Sequence, residues 1–587
     1  MVGDAGLHGL DMSSFISLYR SLKRSRRRQF WLTLGLMLIT ALAEAVTIGA
    51  AIPFLTLIAT PERNLHPALQ ALLRMFGSNA VLAAGLLLVA AATLAALIRL
   101  ALVWRTQRFV MDVGNDVAQR IWEGILSEPY EAHLYRNGAE VLGGLENLRQ
   151  LAFTVLEPAM QGLAASVLSI MIAAFLLAVD PVATSIFAGT ALAIYVLTGL
   201  ATQSRLRRNS AKLAVATTAR IKIVQEGLGA IRDVILSRSQ GIFQHELRQI
   251  HDEYRHAYVS NSLIAVAPRF LLEAGGVAAL VSVALVASAR QEGLMGAIPI
   301  LGALALGGQR LLPLLQQAFA GWSRSAGNTQ SLADVVSLMT RNPMFAGPAD
   351  KEMAIGFAHE ITFDRVSFQY RNRLPAVEGV TFSIRRGERV GIDGESGAGK
   401  STVLDLLMGL LVPAAGEIRI DGVVLSDSTR LAWQARIAHV PQSIYLMDDT
   451  IAANIAFGVA ADRIDGERLR GAAEAASLHG FVESLSDGYN TRVGERGLNL
   501  SGGQRQRVGI ARALYAGAEI LILDEATNAL DDETEAAILD AIANLGRNIT
   551  LITVAHRRSS LARCDQVITL PNHRKGDRRR GGAEPRA

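Results

Sequence analysis

Gly77–Ile98, Pro158–Val179 and Pro181–Ser204 run without a single charged residue. A helix crosses the roughly 30 Å hydrocarbon core of a bilayer with about 20 apolar residues, so each run is long enough to span. Phe30–Thr60 is apolar except for Glu44 and holds Pro53. Ala274–Ala289 and Leu294–Gln309 are shorter, and they span only if extended past Arg269 and Glu273 and past Arg310. The expected count is six spans, near 30–58, 80–104, 158–179, 181–203, 262–289 and 294–320.

Basic residues set the orientation, because cytoplasmic loops carry the Lys/Arg excess. Arg20, Lys23, Arg24, Arg26, Arg27 and Arg28 precede the first run, and residues 205–256 are rich in Arg and Lys. The alternate loops hold Arg63 and Arg74, then none, then Arg290. Both termini and the loops 105–157 and 205–261 are therefore expected in the cytoplasm. Those loops have few breakers and read as helices that continue out of the membrane. In the first outer loop Leu65, Leu69, Leu72, Leu73 and Phe76 share one helical face, opposite His66, Gln70 and Arg74. That pattern fits a helix on the outer membrane surface or one packed on the bundle.

The net charge of +5 does not need nucleic acid to explain it: the Lys and Arg lie between apolar runs and at the two ends. No nucleic-acid partner is expected. The lone Cys564 excludes an intrachain disulfide and any Cys-based metal cluster. The first apolar run is too long for a cleavable signal peptide and lacks a cleavage motif.

The pattern changes after a Pro- and Gly-containing linker, 341–356. Ile361–Phe363, Val366–Phe368 and Val380–Phe382 alternate as strands do. Arg389–Asp393 reads as a strand feeding Gly394, Glu395, Ser396, Gly397, Ala398, Gly399, Lys400, Ser401 and Thr402. This is the phosphate-loop pattern in its strand–loop–helix setting. The glycines let backbone N–H groups close around phosphate oxygens, Lys400 reaches the β/γ-phosphates, and Ser401 can ligate Mg²⁺. Farther on, Ile520–Leu523 is a buried-strand pattern that delivers Asp524 and Glu525. Asp524 is placed for the Mg²⁺ shell and Glu525 to polarise the attacking water. An acidic pair at a strand end can also be merely solvated, but a phosphate loop upstream argues for the catalytic reading.

Between these motifs stands Leu500-Ser501-Gly502-Gly503-Gln504, and with it the chain resembles the ATP-binding cassette (ABC) superfamily over nearly its full length. The resemblance implies that Tyr370 stacks on adenine and that Gln442 is the Q-loop residue that senses Mg²⁺. It implies that Asn528–Asp531 is the D-loop, that His556 is the switch histidine on the γ-phosphate, and that Gly494–Gly497 is the exporter-type X-loop. ATP then sits between the phosphate loop of one cassette and Ser501 and Gly503 of another. One phosphate loop and one signature per chain imply a homodimer with two identical sites. Short cytoplasmic helices near Pro129–Leu134 and Ser237–Gln244 are expected to transmit the motion.

Six spans followed by a cassette resemble the exporter arrangement. No peptidase domain is found ahead of the first span, which disfavours a leader-cleaving peptide exporter. The expected fold is therefore a six-helix all-α transmembrane domain plus an α/β P-loop nucleotide-binding domain. Residues 1–29 form a basic cytoplasmic segment, 30–340 the transmembrane domain, 341–356 the linker, 357–572 the cassette and 573–587 a basic tail. At about 1.5 Å per residue, Arg99, Arg269 and Arg310 lie roughly 25–30 Å from the outer ends of their spans, near the cytoplasmic side. Facing a cavity they could clamp a phosphate or diphosphate head group. Alternatively they snorkel to the inner head groups, with Glu273 pairing Arg269 one turn away. Ala43–Leu57, the outer amphipathic pattern and Leu561–Asp565 resemble bacterial lipid-linked oligosaccharide flippases. That resemblance implies a polyprenyl-diphosphate-linked glycan as cargo, membrane lipid as surroundings and the bacterial inner membrane as location. Other lipids of the lipid A type, drugs or peptides are the competing cargoes. A gated channel or regulator is the competing class, which the intact Glu525, His556 and Leu500–Gln504 disfavour.

Overall fold

The computed structural model describes residues 12–59, 80–135, 142–144, 146, 151–179, 181–288, 311–340, 355–371, 373–526, 531–544, 549–554 and 561–571. The chain divides into two compact units, one of residues Met1–Glu128 with Tyr135–Met344 and one of Pro129–Leu134 with Phe345–Ala587.

The first unit is built of helices: α1 (Met12–Ser21), α2 (Arg24–Ala59), α3 (Ala80–Leu126), α4 (Glu157–Val179), α5 (Pro181–Gly229), α6 (Gln240–Ser288) and α7 (Thr329–Thr340), with residues 311–326 also helical. Helix α3 has 47 residues, and α5 and α6 have 49 each. At 1.5 Å per residue these are rods of about 70 Å, more than twice the hydrocarbon thickness, so they run on past it. Among the described residues, three helical segments are long and apolar enough to cross a membrane: Arg24–Ala51, Val81–Leu126 and Leu151–Ala178. The expected fourth and fifth runs lie on α5 and α6, whereas 289–310 and the outer-loop pattern at 65–76 lie outside the described residues. Along α3, Leu82, Leu86, Val89, Leu94, Leu97 and Leu100 are each more than half exposed. So large an apolar face is stable in lipid and costly in water.

Buried hydroxyls on α2 close on their own helix. Thr33, Thr40 and Thr47 recur at seven-residue spacing on α2, and their hydroxyls donate to the carbonyls of Gln29, Leu36 and Ala43 at 2.7–2.9 Å. All three are buried, so the back-bonding spares each hydroxyl an unmet donor in an apolar setting. At the inner end of α2, Arg26 pairs with Asp112 at 2.6 Å and Asp116 at 2.9 Å, tying α2 to α3. A π-helical turn, Leu151–Leu156, precedes α4, and the Ser325 hydroxyl donates to its Val155 carbonyl at 3.0 Å. One turn on, Gly162 and Gly321 bring α4 and the 311–326 helix to backbone contact. A Cβ at Gly321 would lie 2.7 Å from Gly162 Cα and closer still to the Pro158 carbonyl.

The connection between α5 and α6 differs from expectation. The short helix is Ile231–Leu236, and α6 already begins at Gln240. The break between them is a turn at Ser237–Ser239, where Arg238 takes φ +54 and the two serine hydroxyls bond at 2.9 Å. A left-handed residue stops one helix and lets the next start in a new direction.

The second unit holds two sheets. An antiparallel sheet has the order β2-β1-β4-β5, from β1 (Glu360–Gln369), β2 (Pro375–Arg385), β4 (Ala415–Ile420) and β5 (Val423–Val424). A parallel sheet has the order β6-β7-β8-β3-β9, from β3 (Arg389–Asp393), β6 (Ile437–Val440), β7 (Ile520–Asp524), β8 (Thr550–Val554) and β9 (Gln566–Thr569). Residues Ile520–Leu523 are buried to a man, as a strand covered on both faces requires. Phe363 and Phe382 face each other across β1 and β2 with ring centroids 4.3 Å apart. Because the second sheet is parallel, the carboxyl ends of β3, β6 and β7 open on one side, where ligands bind in such sheets.

Replacing Gly321 by Leu should force the two helices apart and lower stability by about 1–3 kcal/mol. Gly35→Ala, with nothing within 4 Å of the added carbon, serves as control. Thermal unfolding in detergent checks this, and equal melting of both variants would contradict the close approach.

Candidate nucleotide site

The loop after β3 is shaped by glycines that no other residue replaces cheaply. Gly397 and Gly399 take φ +84 and +90. A Cβ on Gly399 would collide with the Ala376 carbonyl and stand 3.1 Å from Val377. This lets the loop turn tightly into α8 (Lys400–Leu407), whose first N–H groups face the loop. The Lys400 ammonium is buried and donates to the Gly394 carbonyl at 2.6 Å. The loop thus wraps its own cation with the Gly394 carbonyl. Ser401 is exposed at the rim, and Ala398 is buried beneath it.

Asp524 ends β7, and Glu525 follows with φ +50, a strained conformation for a non-glycine residue. Burial raises the Asp524 pKa, Glu525 adds to the rise, and Lys400 opposes it. Gln442, just beyond β6, donates to Glu525 Oε2 at 2.7 Å. Lys400, Gln442, Asp524 and Glu525 therefore gather at the carboxyl end of the parallel sheet. The side-chain oxygens of Gln442, Asp524 and Glu525, with the Ser401 hydroxyl, are hard donors of the kind Mg²⁺ prefers. Two adjacent carboxylates whose charges raise the pKa of one of them suit a divalent cation.

Tyr370 was expected against adenine. Here its ring packs edge-on against Phe368 at 4.9 Å, and its hydroxyl and that of Thr402 share a hydrogen bond at 3.2 Å. The aromatic thus stands beside the phosphate loop. The segment Pro129–Leu134, which forms part of the short helix Tyr130–Tyr135, belongs to this unit. The Tyr130 phenol is raised by burial, then by Asp405 and Tyr370.

Ser501 caps α9 (Gly502–Ala516). Its hydroxyl accepts from the Gln504 N–H at 3.2 Å, and the Gln504 side chain accepts from the Ser501 N–H at 2.7 Å. This capping box leaves the Gly502 and Gly503 amides at a positive helix end. Asp531 caps α10 (Asp532–Asn544): it accepts from the Thr534 N–H and hydroxyl, both at 2.8 Å, and these bonds lower its pKa. Asn528–Leu530 and His556 lie outside the described residues.

Two residues escaped the sequence reading. Asp405 sits one turn after Ser401 on α8, and its pKa is pushed up to about 6 by burial and by the Asp524 charge. The signal was its i,i+4 spacing from Ser401. Arg505 donates to the Gly497 and Leu500 carbonyls at 3.3 and 2.9 Å, joining the Gly494–Gly497 turn to the signature. Its position inside an apolar-periodic helix gave no such signal.

In the helical unit the three arginines part company. Arg99 lies 3.9 Å from the buried Glu44 and lines a cavity of about 410 Å³. Arg269 donates to Glu273 at 2.7 Å, the one-turn pairing that was the alternative to a clamp, and Pro268 removes a helical hydrogen bond beside it. Arg310 lies outside the described residues.

Residues 377–528 match the ABC transporter family. An ABC transporter of Aspergillus oryzae is 42% identical over 213 residues, 36% of this chain and 26% of its own length. An ATP-dependent lipid A-core flippase of Burkholderia pseudomallei is 33% identical over 374 residues, 62% of this chain and 61% of its own length. The chain thus spans between about a quarter and three fifths of the length of these curated relatives. A solved bacterial Atm1-family ABC exporter with ATP bound superposes with a TM-score of 0.69 at 25% identity, over 96% of this chain and 99% of that one. Fold and matches together define a chain in which helices able to cross a membrane are joined to an ABC ATP-binding domain. Residues 377–528 carry an ABC transporter domain, and the chain as a whole has the fold of an ABC exporter half-transporter.

The pKa of Asp405 is about 6 in the fold and 3.8 as the ordinary value. Between those values the folded state binds more protons than the unfolded one, so stability falls as pH rises through that window. Asp405→Asn should therefore raise the melting temperature of the nucleotide-free protein at pH 7.5, with the gain shrinking towards pH 5. A gain independent of pH would show that the carboxylate is not desolvated.

Proposed function

We propose that this chain is an ATP-driven exporter that works as a homodimer and moves an amphipathic glycolipid from the inner to the outer leaflet of a bacterial inner membrane. The observation that carries the reading is the gathering of Lys400, Gln442, Asp524 and Glu525 in a chain that also holds helices able to cross a membrane. Glu525 polarises the attacking water, His556 contacts the γ-phosphate, and Tyr370 turns from Thr402 to stack on adenine. Ser401, Gln442 and Asp524 hold Mg²⁺, which when bound neutralises charge on the transferring phosphoryl group. Ser501, Gly502 and Gly503 of one copy face the phosphate loop of the other. Nucleotide closes the two cassettes, and hydrolysis with product release parts them.

The membrane cargo in this reading is a polyprenyl-diphosphate-linked oligosaccharide, with Arg99, Arg269 and Arg310 as head-group contacts. Glu44 and Glu273 offset two of these charges, so recognition there works through hydrogen bonds more than net charge. A lipid A-like glycolipid is the second reading, favoured by relatives that are named lipid A-core flippases. Both cargoes join sugars, phosphate and long apolar chains.

Reconstitution in liposomes separates them: the leaflet position of each fluorescent glycolipid is followed with and without ATP. ATP-dependent movement of the polyprenyl glycolipid is expected, and movement of the lipid A-type probe alone would shift the assignment to the second reading. Glu525→Gln should retain nucleotide binding and lose at least about a hundredfold in ATP turnover. Wild-type turnover in that variant would remove Glu525 from its role.

A further inference from the structure

We propose that the pocket between α2, α3, α4 and the helical stretch 311–326 binds a sugar-type polyol, through hydroxyls bridging the Glu44 carboxylate and the Arg99 guanidinium. The proposal rests on the glycolipid cargo above and narrows which part of that cargo meets this pocket. The cavity measures about 410 Å³, within the range of small-ligand sites.

Its polar groups come from three elements. Glu44 and Thr47 lie one turn apart on α2 and are 8% and 2% exposed. Arg99 comes from α3, and Gln317 from the 311–326 helix. A carboxylate so deep in a membrane helix is costly, and its retention marks function. At 3.9 Å the Glu44–Arg99 pair is too long for a hydrogen bond, so the two charges offset each other while sharing no proton. Thr47 spends its proton on the Ala43 carbonyl and so can only accept a further bond. Gln317 is exposed and has no hydrogen-bond partner among the described residues; its amide offers both a donor and an acceptor.

The rest of the wall is apolar, with Leu168 and Ile172 of α4 and Pro313 and Leu314 on one side and alanines on the α3 side. Ala92, Ala95 and Ala96 share the Arg99 face of α3, at the i, i+3, i+4, i+7 spacing. They leave room for a ring without supplying polar groups.

Charge selects among head groups. Among the described lining residues the charges of Arg99 and Glu44 sum to about zero, and a diphosphate would bring its negative charges against a buried carboxylate. An ammonium group would meet the guanidinium. A hydroxyl both donates and accepts, so neighbouring hydroxyls can donate to Glu44 and accept from Arg99 and Gln317 at once.

The test titrates hexyl β-glucoside and hexyl diphosphate into the full-length protein in lipid nanodiscs. The glucoside should bind more tightly than the diphosphate. Glu44→Gln should weaken the glucoside about tenfold, the scale of a lost charge-assisted hydrogen bond, while leaving the diphosphate unchanged or tighter. Gln317→Ala, at an exposed position, should weaken the glucoside by a smaller factor. The proposal is overturned if the diphosphate binds better to the wild type. It is also overturned if neither variant alters glucoside binding, or if Glu44→Gln loses both ligands alike while Gln317→Ala loses neither. Leaflet transport on the same preparations keeps the two readings apart. Glucoside binding without glycolipid transport sinks the cargo reading alone, and transport with glucoside binding indifferent to both variants sinks the pocket assignment alone.

Discussion

Asp524 and Glu525 place two carboxylates side by side at the end of a buried strand, and the domain around them answers that charge. Lys400 opposes the rise in the Asp524 pKa, while Asp405, one helix away, has its own pKa raised by the Asp524 charge. Gln442 holds Glu525 by a hydrogen bond, and the Lys400 ammonium is meanwhile satisfied by the Gly394 carbonyl. Each of these contacts is of a kind that a metal–nucleotide complex can replace with a stronger one. The site is thus a set of replaceable partners, held in place by a parallel sheet whose strand ends open on one side.

The helical unit solves a different problem with the same economy. Its buried hydroxyls on α2 bond to their own helix, and its closest helix crossing uses two glycines so that backbones touch. Its ion pairs include Arg26 with Asp112 and Asp116, Arg269 with Glu273, and Arg99 loosely with Glu44. The loosest of these, Arg99 with Glu44, lines the cavity of about 410 Å³.

Much of this was legible in the sequence, and the reasons are physical. Strands β3 and β7 were readable because an apolar run bounded by glycines or acids has few other ways to fold. The phosphate loop was readable because its glycines answer steric needs that other residues cannot meet. The long helices were readable from charge-free length alone. What stayed hidden depended on packing. The Arg238 turn was displaced from its expected place because a single left-handed residue leaves no periodic trace. The resting position of Tyr370, the Asp405 shift and the Arg505 bridge arise from neighbours distant in sequence. The Arg269–Glu273 pair was foreseen as an alternative because its spacing is local, whereas the Arg99–Glu44 pair joins two helices and was not.

Helices α3 and α5 are continuous rods of 47 and 49 residues, and they extend well beyond any bilayer. A stiff rod magnifies: a slight tilt about a point near one end sweeps the other through a far larger arc. Any partner that nudges the ends of these helices therefore acts with leverage. The same geometry means that one flexible joint inserted midway would absorb the stroke locally and disconnect cause from effect.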